Sequence, residues 1–223
     1  GRFTEDRASA GLERLQYMTQ AAAIGVVNHG VGNLGSVMNM LRYINAVPVL
    51  VSTPEEVAAQ HHLILPGVGS YDAGIAGLRE SGMADAVLDH AAAGKPLLGI
   101  CLGMQMLLEG SSEGELPGLG LIPGHCEAFA DHVTNRRIPH MGWRDIHSVE
   151  NGGFALPDPG RFYFAHSYFA PLDEGGITWA RATYGVGFSA VVGRDSVVGM
   201  QFHPEKSHRF GMAVLTEFAG WRA

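Results

Sequence analysis

The stretch PLLGICLGMQMLLE, residues 96–109, joins a short apolar run to a helix-like pattern through a Gly-x-Cys-x-Gly turn. A sharp turn from strand to helix crowds the backbone, so the positions beside its centre favour glycine, which has no Cβ. This pattern is typical of a nucleophile elbow with the thiol of Cys101 in place of a hydroxyl. The N–H groups that begin the following helix would favour a thiolate. A cysteine in an apolar run is otherwise often a small buried residue, and this alternative stays open here.

The segments on either side of this turn predict the fold. The first half alternates predicted strands with predicted helices: strands at 23–27, 47–51, 62–65 and 96–100, and helices at 33–46, 54–59 and 78–93. Such alternation indicates βαβ units and a parallel sheet covered on both faces. From residue 121 onward, short strand-like runs are separated by turn residues, and a helix is predicted over about 208–221. The fold class is therefore α/β, with a mixed, mainly parallel central sheet flanked by helices and an antiparallel extension in the second half.

Composition excludes several classes of protein. The chain has 223 residues, 46% of them hydrophobic, which is enough for one domain with a full core. The net charge of −7 argues against a nucleic-acid partner. Two cysteines are too few for a disulfide framework, so we expect a reducing, cytoplasmic setting. No apolar run approaches the roughly 20 residues that a membrane span needs.

The first twenty residues differ from the rest. They are polar, and they lack the apolar centre of a signal peptide. Met18 is a candidate for the natural initiator. We therefore expect residues 1–20 to be an extension or an artificial leader without ordered structure, and residues 21–223 to form the domain.

A cysteine nucleophile needs a base, and the sequence contains eleven histidines. His203 is distinguished by its position in VGMQFHPE, at the end of a strand predicted over 197–202. Residues i and i+2 of a strand point to the same side, so Glu205 could orient its imidazole. This is the nucleophile, base and orienter arrangement of hydrolytic triads. The alternative is a surface histidine beside a solvated glutamate.

Two further glycine-rich segments follow predicted strands. In LPGVG, residues 65–69, the exposed backbone could donate N–H groups to an oxyanion, although an ordinary turn would have the same composition. The segment GVGNLG, residues 30–35, fits G-x-G-x-x-G, but Val-Ser-Thr stands at 51–53, where a dinucleotide site would have an acidic residue. We therefore predict no nucleotide cofactor.

No metal site is predicted either. The side chains of His61 and His62 are adjacent and would diverge on a strand. The sequence has no C-x-x-C or H-E-x-x-H pattern.

Together these segments resemble the class I, triad-type glutamine amidotransferases. The similar segments are PLLGICLGMQ (96–105), PGVG (66–69) and QFHPE (201–205). Further motifs resemble the glutaminase subunits of imidazole glycerol phosphate synthases: GVGNLGSV (30–37), PHMGW (139–143), HSY (166–168) and HPEKS (203–207). The resemblance spans about residues 22–222 and implies an amidotransferase domain over 21–223.

The resemblance implies a reaction and a site. Cys101 would attack the side-chain amide of glutamine, His203 would protonate the departing ammonia, and Glu205 would hold the imidazole. The implied backbone oxyanion donors are Gly67, Val68 and Leu102, and the residues implied to hold the amino-acid end of the substrate are Gln105, His166, Ser167 and Tyr168. No cofactor is implied.

The resemblance also implies a partner, a (β/α)8 cyclase subunit that receives the ammonia. It would make imidazole glycerol phosphate and an aminoimidazole carboxamide ribonucleotide, for histidine biosynthesis. The positions implied at the interface are Asn33, Trp143, Tyr163 and Lys206. Core aromatic residues and a solvated lysine are the alternative interpretation of the last three.

Two other functions are compatible with this fold. The first is a glutaminase subunit of another biosynthetic synthase, against which PHMGW and the HPEKS ending argue. The second is a catalytically silent interaction subunit of the same fold, against which the intact Cys101, His203 and Glu205 argue. One departure from the family is visible: Asn28-His29 precedes Gly30, where the family usually has Asp-Tyr. We expect it to spare the triad and to alter local packing or partner contacts.

Overall fold

The computed structural model describes residues 23–30, 32–150, 152–173 and 175–222. The predicted extension at 1–20 and the domain boundary at residue 21 lie outside these ranges. The strands are β1 Ala23–Val27, β2 Val47–Val51, β3 His62–Gly67, β4 Leu97–Cys101, β5 Gly110–Ser111, β6 His125–Ala128, β7 His140–Ser148, β8 Gly160–His166, β9 Tyr168–Phe169, β10 Thr178–Tyr184, β11 Val186–Arg194 and β12 Val197–Met200.

Helices connect most of the early strands, and one helix closes the chain. They are α1 Leu34–Tyr43, α2 Pro54–Ala58, α3 Tyr71–Glu80, α4 Met83–Ala92, α5 Leu102–Leu107 and α6 His208–Gly220. Two short 3-10 turns lie at Phe129–Asp131 and Pro204–Lys206. In the part of the chain that the structure describes, no helix combines the length and apolar character needed to cross a bilayer.

One nine-stranded sheet organises the molecule, in the order β2-β1-β3-β4-β12-β11-β10-β7-β8. The five strands from β2 to β12 pair in parallel, and the remaining strands pair antiparallel. A small second sheet has the order β5-β6-β9. The predicted fold class, a mainly parallel sheet with an antiparallel extension, is confirmed.

The parallel strands are apolar on both faces because helices cover both. On β3, for example, Ile64 belongs to one core cluster, whereas Leu63 and Leu65 belong to the other. Helices α1 and α6 contribute to the first cluster, and α2 to α5 contribute to the second. Burial on both faces explains why the sequence shows continuous apolar runs here rather than alternation.

The single helix predicted over 78–93 is wrong. Two helices occupy this region: α3 begins already at Tyr71 and ends at Glu80, and α4 begins at Met83. Gly82 separates them with a φ of 72°, a left-handed conformation that glycine adopts without steric cost. The apolar pattern continues through the break because both helices pack on the same face of the sheet.

The topology brings three strand ends together. Gly67 at the end of β3 pairs with Cys101 at the end of β4, and Ile100 pairs with Met200 at the end of β12. Carboxyl ends of parallel strands are where open α/β sheets place their sites. The segments predicted to carry chemistry therefore lie side by side.

Candidate active site

Cys101 lies in the strained turn that the sequence predicts. Its φ is 54° and its ψ is −108°, a conformation that residues with a Cβ rarely adopt. Close packing holds the turn, because a Cβ on Gly103 would overlap the carbonyl of Leu65 and a Cβ on Gly99 would lie 2.7 Å from Leu107 Cδ1. The flanking glycines thus allow α5 to lie against β3 and β4.

The thiol opens into a cavity of about 310 Å³. Cys101 itself is 7% exposed, enough for its sulfur to form part of the wall. The lining residues are Val68, Gly69, Cys101, Leu102, Gln105, Glu113, Pro139, Ala165, His166, Ser167, Tyr168, His203 and Lys206. Segments 66–69, 96–105, 166–168 and 203–207 therefore each contribute to this pocket, and segment 139–143 contributes Pro139, whereas no described residue of segment 30–37 lies on its wall. The second cysteine, Cys126, is free and fully buried.

His203 and Glu205 form a buried pair. Their side chains are 3% and 2% exposed, and His203 Nδ1 lies 2.8 Å from Glu205 Oε1. The predicted reason for this pairing, alternation along a strand, is wrong. Strand β12 ends at Met200, and the proline at 204, which has no N–H for a sheet ladder, begins a 3-10 turn. The turn folds the carboxylate back to the imidazole.

Electrostatics favour a charged imidazole at this position. Burial lowers the pKa of His203, but the hydrogen bonds to Cys101 and Glu205 and the negative charges of those groups outweigh burial and raise it well above the usual range. Among the described residues, Glu205 Oε2 has no hydrogen-bond partner, so the carboxylate is directed to the imidazole alone. The arrangement can protonate a leaving group next to the sulfur.

The predicted oxyanion segment lies beside Cys101. Val68 and Leu102 line the cavity, and a Cβ on Gly67 would lie 3.0 Å from the backbone nitrogen of Gly103. Gly67 therefore packs directly on the start of α5, and a side chain at this position would force its neighbours to shift. The role of these N–H groups in holding an oxyanion stays a prediction.

The departure at Asn28-His29 contacts this same segment. His29 is 4% exposed, and its Nε2 donates a hydrogen bond of 2.6 Å to the carbonyl oxygen of Pro66. Since a carbonyl can only accept, the proton must lie on Nε2. Burial lowers the pKa of His29, which keeps the imidazole neutral. The substitution therefore anchors the segment before Gly67.

The four residues predicted to hold the amino-acid end of the substrate are all on the cavity wall: Gln105, His166, Ser167 and Tyr168. Gln105 Nε2 donates to the carbonyl of Tyr168 at 3.1 Å. His166 Nδ1 lies 2.8 Å from the same carbonyl, and its Nε2 lies 3.0 Å from His140 Nδ1. Both imidazoles are buried, and burial lowers the pKa of His166 to about 3. Gln105 and His166 are therefore held in place by hydrogen bonds, and the buried imidazole of His166 is neutral.

With the geometry established, comparison with known proteins identifies the family. The Glutamine amidotransferase class-I family matches residues 21–219, which include every residue of the cavity wall. The chain belongs to this family.

Several relatives of this amidotransferase have the same name. The chain is 43% identical over 201 residues to "Imidazole glycerol phosphate synthase subunit HisH" of Desulfitobacterium hafniense, a match that covers 89% of this chain and 94% of that one. A protein of the same name from Bdellovibrio bacteriovorus is 42% identical over 201 residues, covering 88% and 98% of the two chains.

Solved structures agree on the fold. A structure titled "Structure of PurLQS from Thermotoga maritima" has a TM-score of 0.72 at 20% identity, covering 90% of this chain and 99% of that one. A structure titled "Crystal structure of glutamine amidotransferase" has a TM-score of 0.70 at 23% identity, covering 89% and 99%. At these identities the likeness concerns the fold alone.

Sequence reasoning missed one acidic residue of the amidotransferase cavity. Glu113 lies in the loop between β5 and β6, and it is the acidic residue on the cavity wall. Burial raises the pKa of Glu113, and the charge of Asp72 adds to the effect. No local pattern marks Glu113, because Glu109, Glu113 and Glu115 all lie in the same polar stretch. Only the folded loop shows which of them reaches the site.

Three of the four predicted interface residues, Trp143, Tyr163 and Lys206, lie together, and Lys206 lines the cavity. The rings of Trp143 and His208 stack at 5.4 Å with an interplanar angle of 4°, and Tyr163 packs edge-on to Trp143 at 6.0 Å. Lys206 Nζ lies 5.8 Å from the centre of the Tyr163 ring, while Asn33 is exposed at the start of α1. The aromatic residues are only partly buried, so the structure does not place them in the core.

No metal centre is evident in the described part of the amidotransferase. Among those residues, no three His, Cys, Asp or Glu side chains are grouped so that they could hold an ion. The rings of His61 and His62 do not diverge as predicted, because their Nδ1 atoms lie 3.2 Å apart. His62 Nε2 is bonded to the backbone carbonyl of Trp221, which explains the burial of this ring.

Proposed function

We propose that this amidotransferase hydrolyses glutamine to glutamate and ammonia and passes the ammonia to a cyclase subunit. The observation that carries the proposal is the triad geometry. A strained cysteine opens into a cavity that also contains His203, and the imidazole is held by Glu205 at 2.8 Å. A strained backbone at a cysteine is retained only where the surrounding structure enforces it, as at functional sites.

The first half of the reaction forms a thioester. The Cys101 thiolate attacks the side-chain amide carbon of glutamine, and the carbonyl oxygen becomes an oxyanion. The N–H groups near Val68 and Leu102 would receive that charge. The intermediate collapses, the C–N bond breaks, and the His203 imidazolium donates its proton to the departing nitrogen, which leaves as ammonia.

The second half returns the enzyme to its starting state. His203, now neutral, removes a proton from water, and the water oxygen attacks the thioester carbon. The C–S bond breaks, glutamate leaves, and the thiolate and imidazolium are restored. The raised pKa of His203 supports this cycle because it keeps the imidazole protonated and able to donate to the departing nitrogen. Glu205 holds the ring in one tautomer throughout.

The cavity fits the amino-acid end of glutamine. The Glu113 carboxylate offers a negative charge to the α-ammonium, and the Gln105 side chain adds a polar group on the same wall. Lys206, on the cavity rim, offers the opposite charge to the α-carboxylate. Ion pairs of this kind select the zwitterionic end of an amino acid.

We propose a (β/α)8 cyclase as the acceptor of the ammonia. The relatives named as subunits of imidazole glycerol phosphate synthase support this choice over another biosynthetic synthase. The products would then be imidazole glycerol phosphate and an aminoimidazole carboxamide ribonucleotide. The patch formed by Trp143, Tyr163 and Lys206 beside the cavity, with Met141 63% exposed, supports docking at this face. The cytoplasmic setting stays a prediction from the cysteine content.

Thiol labelling tests the proposal against a silent interaction subunit. A glutamine-analogue electrophile should modify Cys101 in the complex with the cyclase and abolish glutamine-dependent synthesis, while synthesis from free ammonia continues. Excess glutamine should protect the thiol. Absence of labelling at Cys101 with partner and cyclase ligand present would contradict the glutaminase function.

A further inference from the structure

Gln201 occupies a position that neither the triad nor the substrate wall accounts for. It directly follows β12. Met200, the last residue of β12, pairs with Ile100 of β4, so Gln201 comes next to Cys101, the residue that follows Ile100. Its side chain is fully buried, at 0% exposed. A buried side-chain amide needs hydrogen-bond partners, so the partners of Gln201 indicate its role.

The partners of Gln201 connect the nucleophile to the substrate wall. Gln201 Nε2 donates to Cys101 Sγ at 3.8 Å, and its Oε1 accepts from Gln105 Nε2 at 3.1 Å. Gln105 Nε2 uses its second hydrogen on the carbonyl of Tyr168, also at 3.1 Å. An unbroken chain of hydrogen bonds therefore connects the Tyr168 carbonyl to the sulfur.

The available hydrogen-bond donors and acceptors determine the orientation of the Gln105 and Gln201 side-chain amides. The Tyr168 carbonyl can only accept, so the NH2 group of Gln105 must face it. If the Gln201 amide were reversed, its NH2 group would oppose the NH2 group of Gln105. A charged sulfur also prefers the N–H of Gln201 to its oxygen. Gln105 is then left with Oε1 as its only group for a ligand, an acceptor suited to the ammonium of the substrate.

The sulfur needs such a donor. The carbonyl oxygen of Ala165 lies 3.9 Å from Cys101 Sγ, and this dipole would repel a thiolate. The buried N–H of Gln201 opposes that repulsion from a second direction. Hydrogen bonds to charged groups are worth more than neutral ones, and this is most marked away from water.

We propose that Gln201 is a positioning residue that stabilises the charged Cys101 sulfur and fixes the Gln105 amide as an acceptor for substrate. The proposal rests on the proposed function in so far as Cys101 is the nucleophile. It adds a direct link between recognition of the amino-acid end and the reactivity of the sulfur.

Two measurements test the link. Alkylation of the full chain by iodoacetamide near neutral pH, with Cys101→Ala as background, reports the sulfur without glutamine. Gln201→Met and Gln201→Leu should each react about tenfold more slowly, the loss expected for one hydrogen bond to a charged group. In the complex with the cyclase, both variants should lower kcat about tenfold and also raise the KM for glutamine, because Gln105 is no longer held.

A second variant separates the two roles. Gln105→Met leaves the Gln201 donor facing the sulfur, so its KM should rise while its alkylation rate stays within about threefold of wild type. Ser189→Ala removes a buried hydroxyl from β11 whose hydrogen bonds go to Thr178 and to the Pro171 carbonyl, and not to Cys101, Gln105 or Gln201. It should leave alkylation and KM unchanged, which controls for the general loss of a buried hydrogen bond.

The proposal is overturned if folded Gln201→Met and Gln201→Leu are alkylated at the wild-type rate. If neither variant folds, the side-chain amide proton resonances of Gln201 decide instead: Cys101→Ala should shift them, and an unchanged position overturns the proposal. Failure of the proposed function has a different signature. Wild-type complex would not turn over glutamine, whereas the alkylation rates would still differ among the variants.

Discussion

His203 Nδ1 and Glu205 Oε1 lie 2.8 Å apart across a 3-10 turn, with both side chains almost fully buried. The second oxygen of this carboxylate, Glu205 Oε2, has no hydrogen-bond partner among the described residues. The pair is therefore a single electrostatic unit beside Cys101.

Glu205→Gln should lower kcat for glutamine about a hundredfold or more, because the imidazole loses both its orienting charge and its fixed tautomer. Glutaminase assays on the complex measure this. The exposed Glu80 at the end of α3 provides a matched control, since Glu80→Gln should leave kcat unchanged. Equal kcat values for Glu205→Gln and wild type would contradict the triad.

Cys101→Ala should abolish glutamine-dependent synthesis and leave ammonia-dependent synthesis at the wild-type rate, because only the glutaminase step needs the sulfur. Coupled assays on the complex with each nitrogen source measure both. Cys126→Ala, at the buried second cysteine, should retain glutamine-dependent synthesis. Loss of both activities in Cys101→Ala would mean that the substitution damages assembly.

His29→Phe should destabilise the protein by about 1–3 kcal/mol, because the buried Pro66 carbonyl loses its donor. The same variant should lower kcat for glutamine, since the segment before Gly67 is less firmly held. Urea unfolding and glutaminase assays measure the two effects. His29→Gln, which keeps an N–H donor, should recover part of both, and equal stability of His29→Phe and wild type would refute the anchoring role.

Acid should destabilise the fold through its buried histidines. Burial lowers the pKa of His90 and His140 to about 4 and that of His166 to about 3, against 6.5 for an ordinary histidine. The unfolded chain then binds more protons than the folded protein below pH 6.5, so the free energy of unfolding falls as the pH drops through that window. The effect of His203 on the free energy of unfolding has the opposite sign. Its stabilising contribution is fully present in acid and is lost only as the pH rises through its raised pKa.

Denaturant titrations from pH 7 to pH 4 measure the acid effect. Each unit of difference between the pKa in the folded and in the unfolded state changes the free energy of unfolding by about 1.4 kcal/mol. His90→Gln should flatten the pH dependence, because a neutral amide replaces the titrating ring beside the Pro96 carbonyl. His147→Gln, at a side chain 59% exposed, should not. Identical slopes for the two variants would show that burial of His90 is not the cause.

Gly103→Ala should cost about 2–4 kcal/mol of stability, because the added methyl group overlaps the Leu65 carbonyl and must push α5 away from β3. The displacement should also reduce alkylation of Cys101. Gly35→Ala in α1 is the matched control: nothing lies within 4 Å of its added Cβ, and alanine favours a helix, so stability should stay the same or rise. Thermal unfolding compares them, and equal melting temperatures for Gly103→Ala and wild type would contradict the packing argument.

Much of the fold was predictable because its signals are local. The strand, turn and helix around Cys101 depend on neighbouring glycines, and the parallel strands depend on continuous apolar runs. The break at Gly82 was missed because a continuing apolar pattern outweighed a single glycine. The link between His203 and Glu205 was predicted correctly from their spacing but for the wrong reason, since a turn rather than a strand brings them together.

The sequence by itself determined the turn at Cys101, the alternation of strands and helices in the parallel half, and the segments that meet at the strand ends, because short-range sterics and apolar periodicity set these features. Only the tertiary structure decided which distant polar groups pair. His29 bonds Pro66 across 37 residues, Gln105 bonds Gln201 across 96, and Gln201 reaches Cys101 across 100. Such pairings depend on strand register and burial, for which no local pattern exists, and they connect the Cys101 turn to the cavity wall.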